Sequence, residues 1–402
     1  MTDLRWQLPD GVDELLPPRA RQLEHLRRQV LDVFHRWGFD LIDPPVIEYL
    51  DALLAGYGSD LDLQTLKVTD QRSGRLLGVR ADMTSQAVRI DARRALDRDD
   101  GAVSRLCYAG VVVHANPQGV HETRVPIKAG AEIFGAPGAQ ADGEAIALML
   151  DVLAHGGIER PVLVLGHMGV FNALIEAAQL TAEQQARLFQ AVQIKSETDI
   201  AQELPAGALR DALVSLPNLM GAVNVLDDAR AAFRAHGAAV LEAIDALAAL
   251  AAQVSERNSD VDLRVDLSEL AGFGYHNGPI YSAYHAELGR ALARGGRYDG
   301  LGRLYGKRRS ATGFDVSLKP LLATQQSFVP SPCIWVSHAD AHGADAPRRS
   351  ALWVWIREQR EAGQRVLVAL TPQEQPTADC NRRARWNEGG WHTEALSAPR
   401  EA

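Results

Sequence analysis

The chain has 402 residues, 46% hydrophobic and 23% charged, a balance that fits two or three folded cores and excludes a disordered or fibrous protein. Its alanine-rich apolar run from Ala246 to Ala252 lies between Asp245 and Glu256, too short and too polar at its edges to predict a membrane span. A net charge of −9 leaves no general basic surface to displace counterions, which argues against a nucleic-acid partner. The N-terminus has no basic stretch followed by an apolar core, so no secretory signal is read and a cytoplasmic location is expected. Three cysteines, Cys107, Cys333 and Cys380, lie far apart without a C-x-x-C, so neither a disulfide framework nor a zinc site is expected.

In chain order, Leu23, Leu26, Val30, Leu31, Val33 and Phe34 recur at helical spacing and stop at Gly38, which predicts an amphipathic helix over Arg19 to Trp37. FDLIDPPVIEYLD is β-rich but broken by Pro44 and Pro45; without amides to donate, these prolines predict an edge or an interface. LKVTDQRSGRLLGVRADMT reads as two short strands around a turn at Ser73 and Gly74, with a helix opening near Thr84. An antiparallel pair is expected from Arg105 to Gly135, then a helix over about Asp142 to Ala154, then the buried strand PVLVLGH. Residues 170 to 259 hold long alanine- and leucine-rich periodic runs, the pattern of a helical insertion without a catalytic cluster of its own. Strand signals return at VDLRVDLSEL and PIYSAYHAEL, followed by ARGGRYDGL and a final helix entered by TGFDVSLKPLL. QQSFVPSP has the composition of a linker, and beyond it IWVSHAD, RRSALWVWIREQREAG and RVLVAL predict a small α/β module. That module, residues 331 to 402, holds nine basic and nine acidic side chains, a neutral balance.

Several stretches carry chemistry by residue type. In VRADMTSQAVRI, Asp82 and Thr84 offer a carboxylate and a hydroxyl suited to an ammonium group, though the pair fits a helix-start capping cluster equally well. Taken in colinear order over most of the first 325 residues, these stretches resemble the class II histidyl-tRNA synthetase family. WGFDLIDPPVIEYLD looks like its first motif, with Pro45 at the position of a dimer interface. In the hairpin RLCYAGVVVHANPQGVHETRVPIKAGAEIFG, residues Tyr108, Gly110, Gly130, Glu132, Phe134 and Gly135 keep the family pattern. The resemblance implies an α+β fold, an antiparallel sheet flanked by helices over residues 1–325, with a helical insertion at about 170–259 and the small C-terminal α/β module at 331–402.

Against that register, the departures fall at cations and their neighbours. His114 stands where the family places an arginine on the α-phosphate of ATP, Asn116 for a glutamate that contacts ATP, and Lys128 for a glutamine that contacts the amino acid. A histidine is mostly neutral at pH 7 and lacks the planar fork of arginine; as a residue alone, His114 equally fits a hairpin surface. In AGFGYHNGPIYSAY, Ala271 occupies the catalytic arginine position and Gly274 that of an aspartate, while Tyr275 is kept and His276 replaces a second tyrosine. In GFDVSLKPLL, Pro320 occupies the place of the arginine that stacks on adenine. With the arginines lost at His114, Ala271 and Pro320, adenylation has no preorganised cations to stabilise its charge. The remaining candidates for a histidine pocket are Asp82, Thr84, Lys128, Glu132, Tyr275 and His276, with Lys128 expected to pair with Glu132 if buried beside it. ARGGRYDGL resembles the family's glycine-rich block, with Arg297 as its polar feature.

Among synthetase-like chains without these arginines, the pattern is most similar to the regulatory-subunit family of ATP phosphoribosyltransferase. That resemblance implies no catalytic residues, cofactor or metal of its own, a homodimeric core, no tRNA and no membrane. It implies a hetero-oligomer with the short-form catalytic subunit, its activation, and feedback inhibition by L-histidine, in the first step of histidine biosynthesis. Histidine has two possible locations, the inherited pocket or a site where the subunits meet. A working histidyl-tRNA synthetase and a free-standing histidine sensor are the competing readings.

Overall fold

Apolar side chains at three- and four-residue spacing make Arg19–Arg36 a helix, and they bury one stripe: Leu23, Leu26, Val30, Val33 and Phe34. Each of these buried side chains contributes roughly 1.5–3 kcal/mol relative to exposure. The stripe packs on the large sheet, where Phe34 meets Phe314 edge to face at 6.2 Å. In this computed structural model the described residues are 6–55, 59–96, 102–117, 119, 122–176, 178–272, 275–286, 288–306, 308–325 and 331–396. They divide into two units, 1–326 and 327–402.

The first unit is built on a nine-stranded sheet. In spatial order its strands are Asp40–Leu41, Ser104–Val111, Ile127–Phe134, Ala311–Ser317, Ala291–Arg297, Pro279–Tyr284, Val162–His167, Asp262–Asp266 and Met220–Gly221. The six strands from Ser104–Val111 to Val162–His167 pair antiparallel throughout, and short parallel or antiparallel pairs finish each side. Helices Arg19–Arg36 and Ala139–His155 share one core with this sheet. The prolines at 44 and 45 separate Asp40–Leu41 from Ile47–Tyr49, and the latter joins Leu76–Val79 and Leu66–Thr69 in a separate three-stranded sheet. This is the class II synthetase-like α+β architecture.

The TGFDVSLKPLL segment departs from expectation. Ala311–Ser317 is a strand near the sheet centre, and the helix that follows is a single turn, Leu318–Leu321. Thr312, Phe314 and Val316 lie on one side of the strand and Gly313 and Asp315 on the other, a two-residue period that wins over the helix reading. The insertion is helical over Met168–Glu176, Ala182–Gln193, Glu197–Glu203, Ala208–Ser215, Val225–Phe233 and Ala238–Arg257. It also returns Met220–Gly221 to the sheet, and its apolar faces merge into the same core. Ala238–Arg257, with a mean hydropathy of 1.5, is long and apolar enough to cross a membrane by length and composition, although the sequence offered only a short run there. In this fold it is a core helix: Val240, Ala243, Ile244, Leu247, Leu250, Ala251 and Val254 are buried on one side.

The second unit has a four-stranded sheet in the order Arg365–Val368, Cys333–Val336, Cys380–Asn387, Gly390–Ala395, with helix Ala346–Glu361 packed on it. Its closing hairpin went unread in the sequence because charged residues interrupt the alternation. The cysteine expectation is overturned here. Cys333 and Cys380 sit opposite each other on neighbouring parallel strands, Cα to Cα 4.4 Å, and form a disulfide; sequence separation says nothing of strand pairing. Cys107 is free and buried. The linker lies largely in residues 326–330, outside the described residues.

Candidate functional site

The sheet register builds the site. Leu106, Glu132, Gly313, Gly296 and Ile280 form one row of cross-strand neighbours, and Tyr108, Gly130, Asp315, Arg294 and Ser282 form the next. Residues two apart share a face, so both rows line the same side of the sheet. Glycines keep this floor open. A Cβ at Gly313 would overlap the Glu132 carboxylate, one at Gly130 would lie 2.5 Å from the Tyr108 hydroxyl, and one at Gly296 would lie 2.9 Å from His276 Nδ1.

Above the floor is a cavity of about 630 Å³. Of the six residues proposed from sequence for a histidine pocket, Asp82, Thr84, Glu132, Tyr275 and His276 line it, as does Ala271. Glu132 is buried at the bottom, where the hydroxyls of Tyr108 (2.9 Å) and Tyr298 donate to its two carboxylate oxygens. Burial pushes its pKa up to about 8, although the two phenol hydrogen bonds pull the other way. Asp82 caps the Thr84–Leu96 helix, accepting from the Thr84 amide at 2.5 Å, so the capping role and the cavity position coincide. Burial, and then the like charge of Asp315, raise its pKa. Tyr275 stacks on Tyr298 with ring centroids 5.0 Å apart and 12° between planes, and His276 meets Tyr275 edge-on at 4.4 Å. His276 Nδ1 lies 3.2 Å from the Arg297 carbonyl, and burial lowers its pKa to about 4. The imidazole is therefore neutral, with Nδ1 the protonated nitrogen.

Lys128 does not pair with Glu132. Its ammonium is 2.8 Å from Asp315, because Lys128 lies two rows from Glu132 on the same strand while Asp315 is on the neighbouring one. Burial opposes the charge of Lys128, but Asp315 and then Asp82 outweigh it and hold its pKa above the ordinary value. Lys128 lines a second cavity of about 390 Å³ together with His114 and Pro320, two of the three positions at which the family resemblance places an arginine. Tyr284, Arg294 and Asp315 line both cavities. His114 is not a surface residue: it is buried, its Nε2 lies 3.2 Å from the Ala81 carbonyl, and desolvation followed by the Lys128 charge lowers its pKa. Asn116 is exposed and lines neither cavity, and Gly274 is outside the described residues.

Arg297 has a structural partner. Its guanidinium contacts Asp142 at 3.0 Å and donates to the Gly138 carbonyl at 2.8 Å, tying the Ala291–Arg297 strand to the Ala139–His155 helix. Sequence reasoning missed Gln193, Glu269 and Arg294, all on the cavity wall. Gln193 comes from the helical insertion, and Glu269 accepts from Ser282 and Tyr284, each at 3.2 Å. Arg294 was visible as the residue before the glycine pair, yet only the strand register places it on this face.

Fold and site together define a class II histidyl-tRNA synthetase-like protein with a polar and aromatic cavity and a neighbouring cavity lined by His114, Lys128 and Pro320. A family model described as Histidyl-tRNA synthetase matches residues 11–321. A solved regulatory subunit/histidyl-tRNA synthetase from Bacillus halodurans C superposes with a TM-score of 0.80 at 24% identity, over 94% of this chain and 96% of that one; that likeness concerns the fold. Two relatives named ATP phosphoribosyltransferase regulatory subunit are closer in sequence. The one from Alkalilimnicola ehrlichii is 43% identical over 98% of both chains, and the one from Thioalkalivibrio sulfidiphilus is 45% identical over 93% of both. The chain belongs to the ATP phosphoribosyltransferase regulatory subunit family. Its role is regulatory, without catalysis of its own.

Proposed function

We propose that this chain assembles with the short-form catalytic subunit of ATP phosphoribosyltransferase in the cytoplasm, activates it, and confers inhibition by L-histidine bound in the 630 Å³ cavity. One observation carries the reading: Asp82, Thr84, Glu132, Tyr275 and His276 converge on that cavity, while Ala271, His114 and Pro320 supply no guanidinium to either one. A carboxylate for an ammonium and a buried carboxylate–phenol cluster for an imidazole suit histidine. Without the lost arginines, a nucleotide has little to hold its phosphates in the reacting position. Inhibition then requires that histidine bind the inactive assembly more tightly than the active one.

The homodimer belongs to the same proposal. Ile47, Tyr49, Leu66 and Val68 share one face of the three-stranded sheet with Leu77 and Val79. Ile47 is 54% exposed and Val68 47%, and the face adjoins Pro45. A second copy covering it would bury an apolar surface of the kind that marks interfaces.

The test is co-purification of the full chain with a short-form catalytic subunit, with ATP–pyrophosphate exchange in the presence of histidine as a second measurement. A stable hetero-oligomer and no exchange are expected. No complex would favour a free-standing sensor, and sustained exchange would mean a working synthetase.

A further inference from the structure

Arg294 is the only cationic side chain among the described residues lining the 630 Å³ cavity, whose acids are Asp82, Glu132, Glu269 and Asp315. Of the other basic residues lining the second cavity, Lys128 pairs with Asp315 and Lys319 with Asp13, and Arg290 does not reach the first cavity. Arg294 has no ion-pair or hydrogen-bond partner among the described residues, and Asp315, its direct neighbour across the strands, is taken by Lys128. The side chain is exposed and stands on a rigid central strand where both cavities meet.

Its position relative to Glu132 follows from the register. Gly296 lies in the row of Glu132, two strands over, and Arg294 is two residues further along the same strand. With strands about 4.8 Å apart and about 3.3 Å per residue, the two Cα atoms are separated by roughly 12 Å along the diagonal of the floor. Glu132 and Arg294 thus approach the cavity from opposite ends, with Asp82 on the wall between the sheet and the Thr84–Leu96 helix. One end is a neutralisable carboxylate held by phenols and the other a permanent cation. That polarity matches a zwitterionic amino acid lying across the floor with its ring toward Glu132.

We infer that Arg294 is the anchor for the α-carboxylate of the amino acid, the role that Ala271 cannot fill. The inference rests on the proposed histidine pocket and names its specificity-determining cation. Lys128 was the other cation available for this role, and its commitment to Asp315 and to the second cavity leaves Arg294. Arginine suits the task because its planar fork meets a carboxylate through two parallel N–H donors. Binding without that partner leaves the ligand carboxylate in a cavity lined by four acids, with no cation on its lining to receive it.

Calorimetric titration of the full chain tests this with L-histidine, L-histidinol, which lacks the carboxylate, and histamine. The wild type is expected to bind L-histidine at least tenfold more tightly than either analogue, in line with a charge-assisted pair. Arg294→Ala is expected to lose roughly 10- to 100-fold in histidine affinity while histidinol affinity changes less than threefold; Arg294→Lys should recover part of the loss. Unchanged circular dichroism and melting temperature of the variants show that folding is not the cause. If Arg294→Ala keeps the wild-type preference for histidine, or loses all three ligands equally, the carboxylate role is overturned and the pocket reading stands. If the wild type binds no histidine, both are overturned.

Discussion

At the scale of single residues, Glu132 links the site to measurable pH behaviour. In the fold its pKa is about 8, raised from an ordinary 4.5 chiefly by burial, so between those values the folded chain holds a proton that the unfolded chain has released. Its contribution is therefore fully present below about pH 4.5 and is lost as pH rises towards 8, with a slope of at most about 1.4 kcal/mol per pH unit. Glu132→Gln removes this slope. Melting curves from pH 5 to 8.5 should show the variant gaining on the wild type as pH rises, and a pH-independent difference would contradict the account. Asp82, Thr84, Glu132, Tyr275 and His276 were legible because local motifs fix their residue types. Arg294 and Glu269 were not, because which face they occupy depends on pairing between distant strands. Lys128 was legible as a buried cation but not with its partner, since Asp315 is 187 positions away along the chain.

At the scale of elements, two contacts organise the molecule differently. The Arg297–Asp142 pair is nearly fully buried, so removing one partner strands a charge. Arg297→Ala should cost about 3–5 kcal/mol of stability. The double replacement Arg297→Met with Asp142→Leu should recover most of it; chemical denaturation of the three chains reads the difference, and an additive double variant would contradict the coupling. The apolar face of the three-stranded sheet has the opposite character, exposed in the single chain. If the proposed homodimer forms through this face, light scattering should show the wild type as a dimer and Val68→Asp as a monomer with little change in secondary structure; an unshifted dimer would rule this face out. Most elements could be read from periodicity, including the Arg19–Arg36 helix and the Ser104–Val111/Ile127–Phe134 hairpin. The strand Ala311–Ser317 could not, because the glycine that clears space for Glu132 and the proline that follows obscure its alternation.

For the molecule as a whole, the two cavities differ in chemistry. One has a carboxylate–phenol–imidazole lining; the other is lined by His114, Lys128 and Pro320. On the proposed reading, such a chain would distinguish an amino acid without activating it, and its output would pass through a partner. The fold class was legible in the colinear motifs, whereas the Cys333–Cys380 disulfide and the approach of the insertion's Gln193 to the cavity were not, both being products of tertiary pairing. The most direct test is steady-state phosphoribosyl transfer by the short-form catalytic subunit, alone, with this chain, and with this chain plus L-histidine. Turnover is expected to rise on adding the chain and to fall again with histidine; turnover indifferent to the chain would contradict a regulatory role.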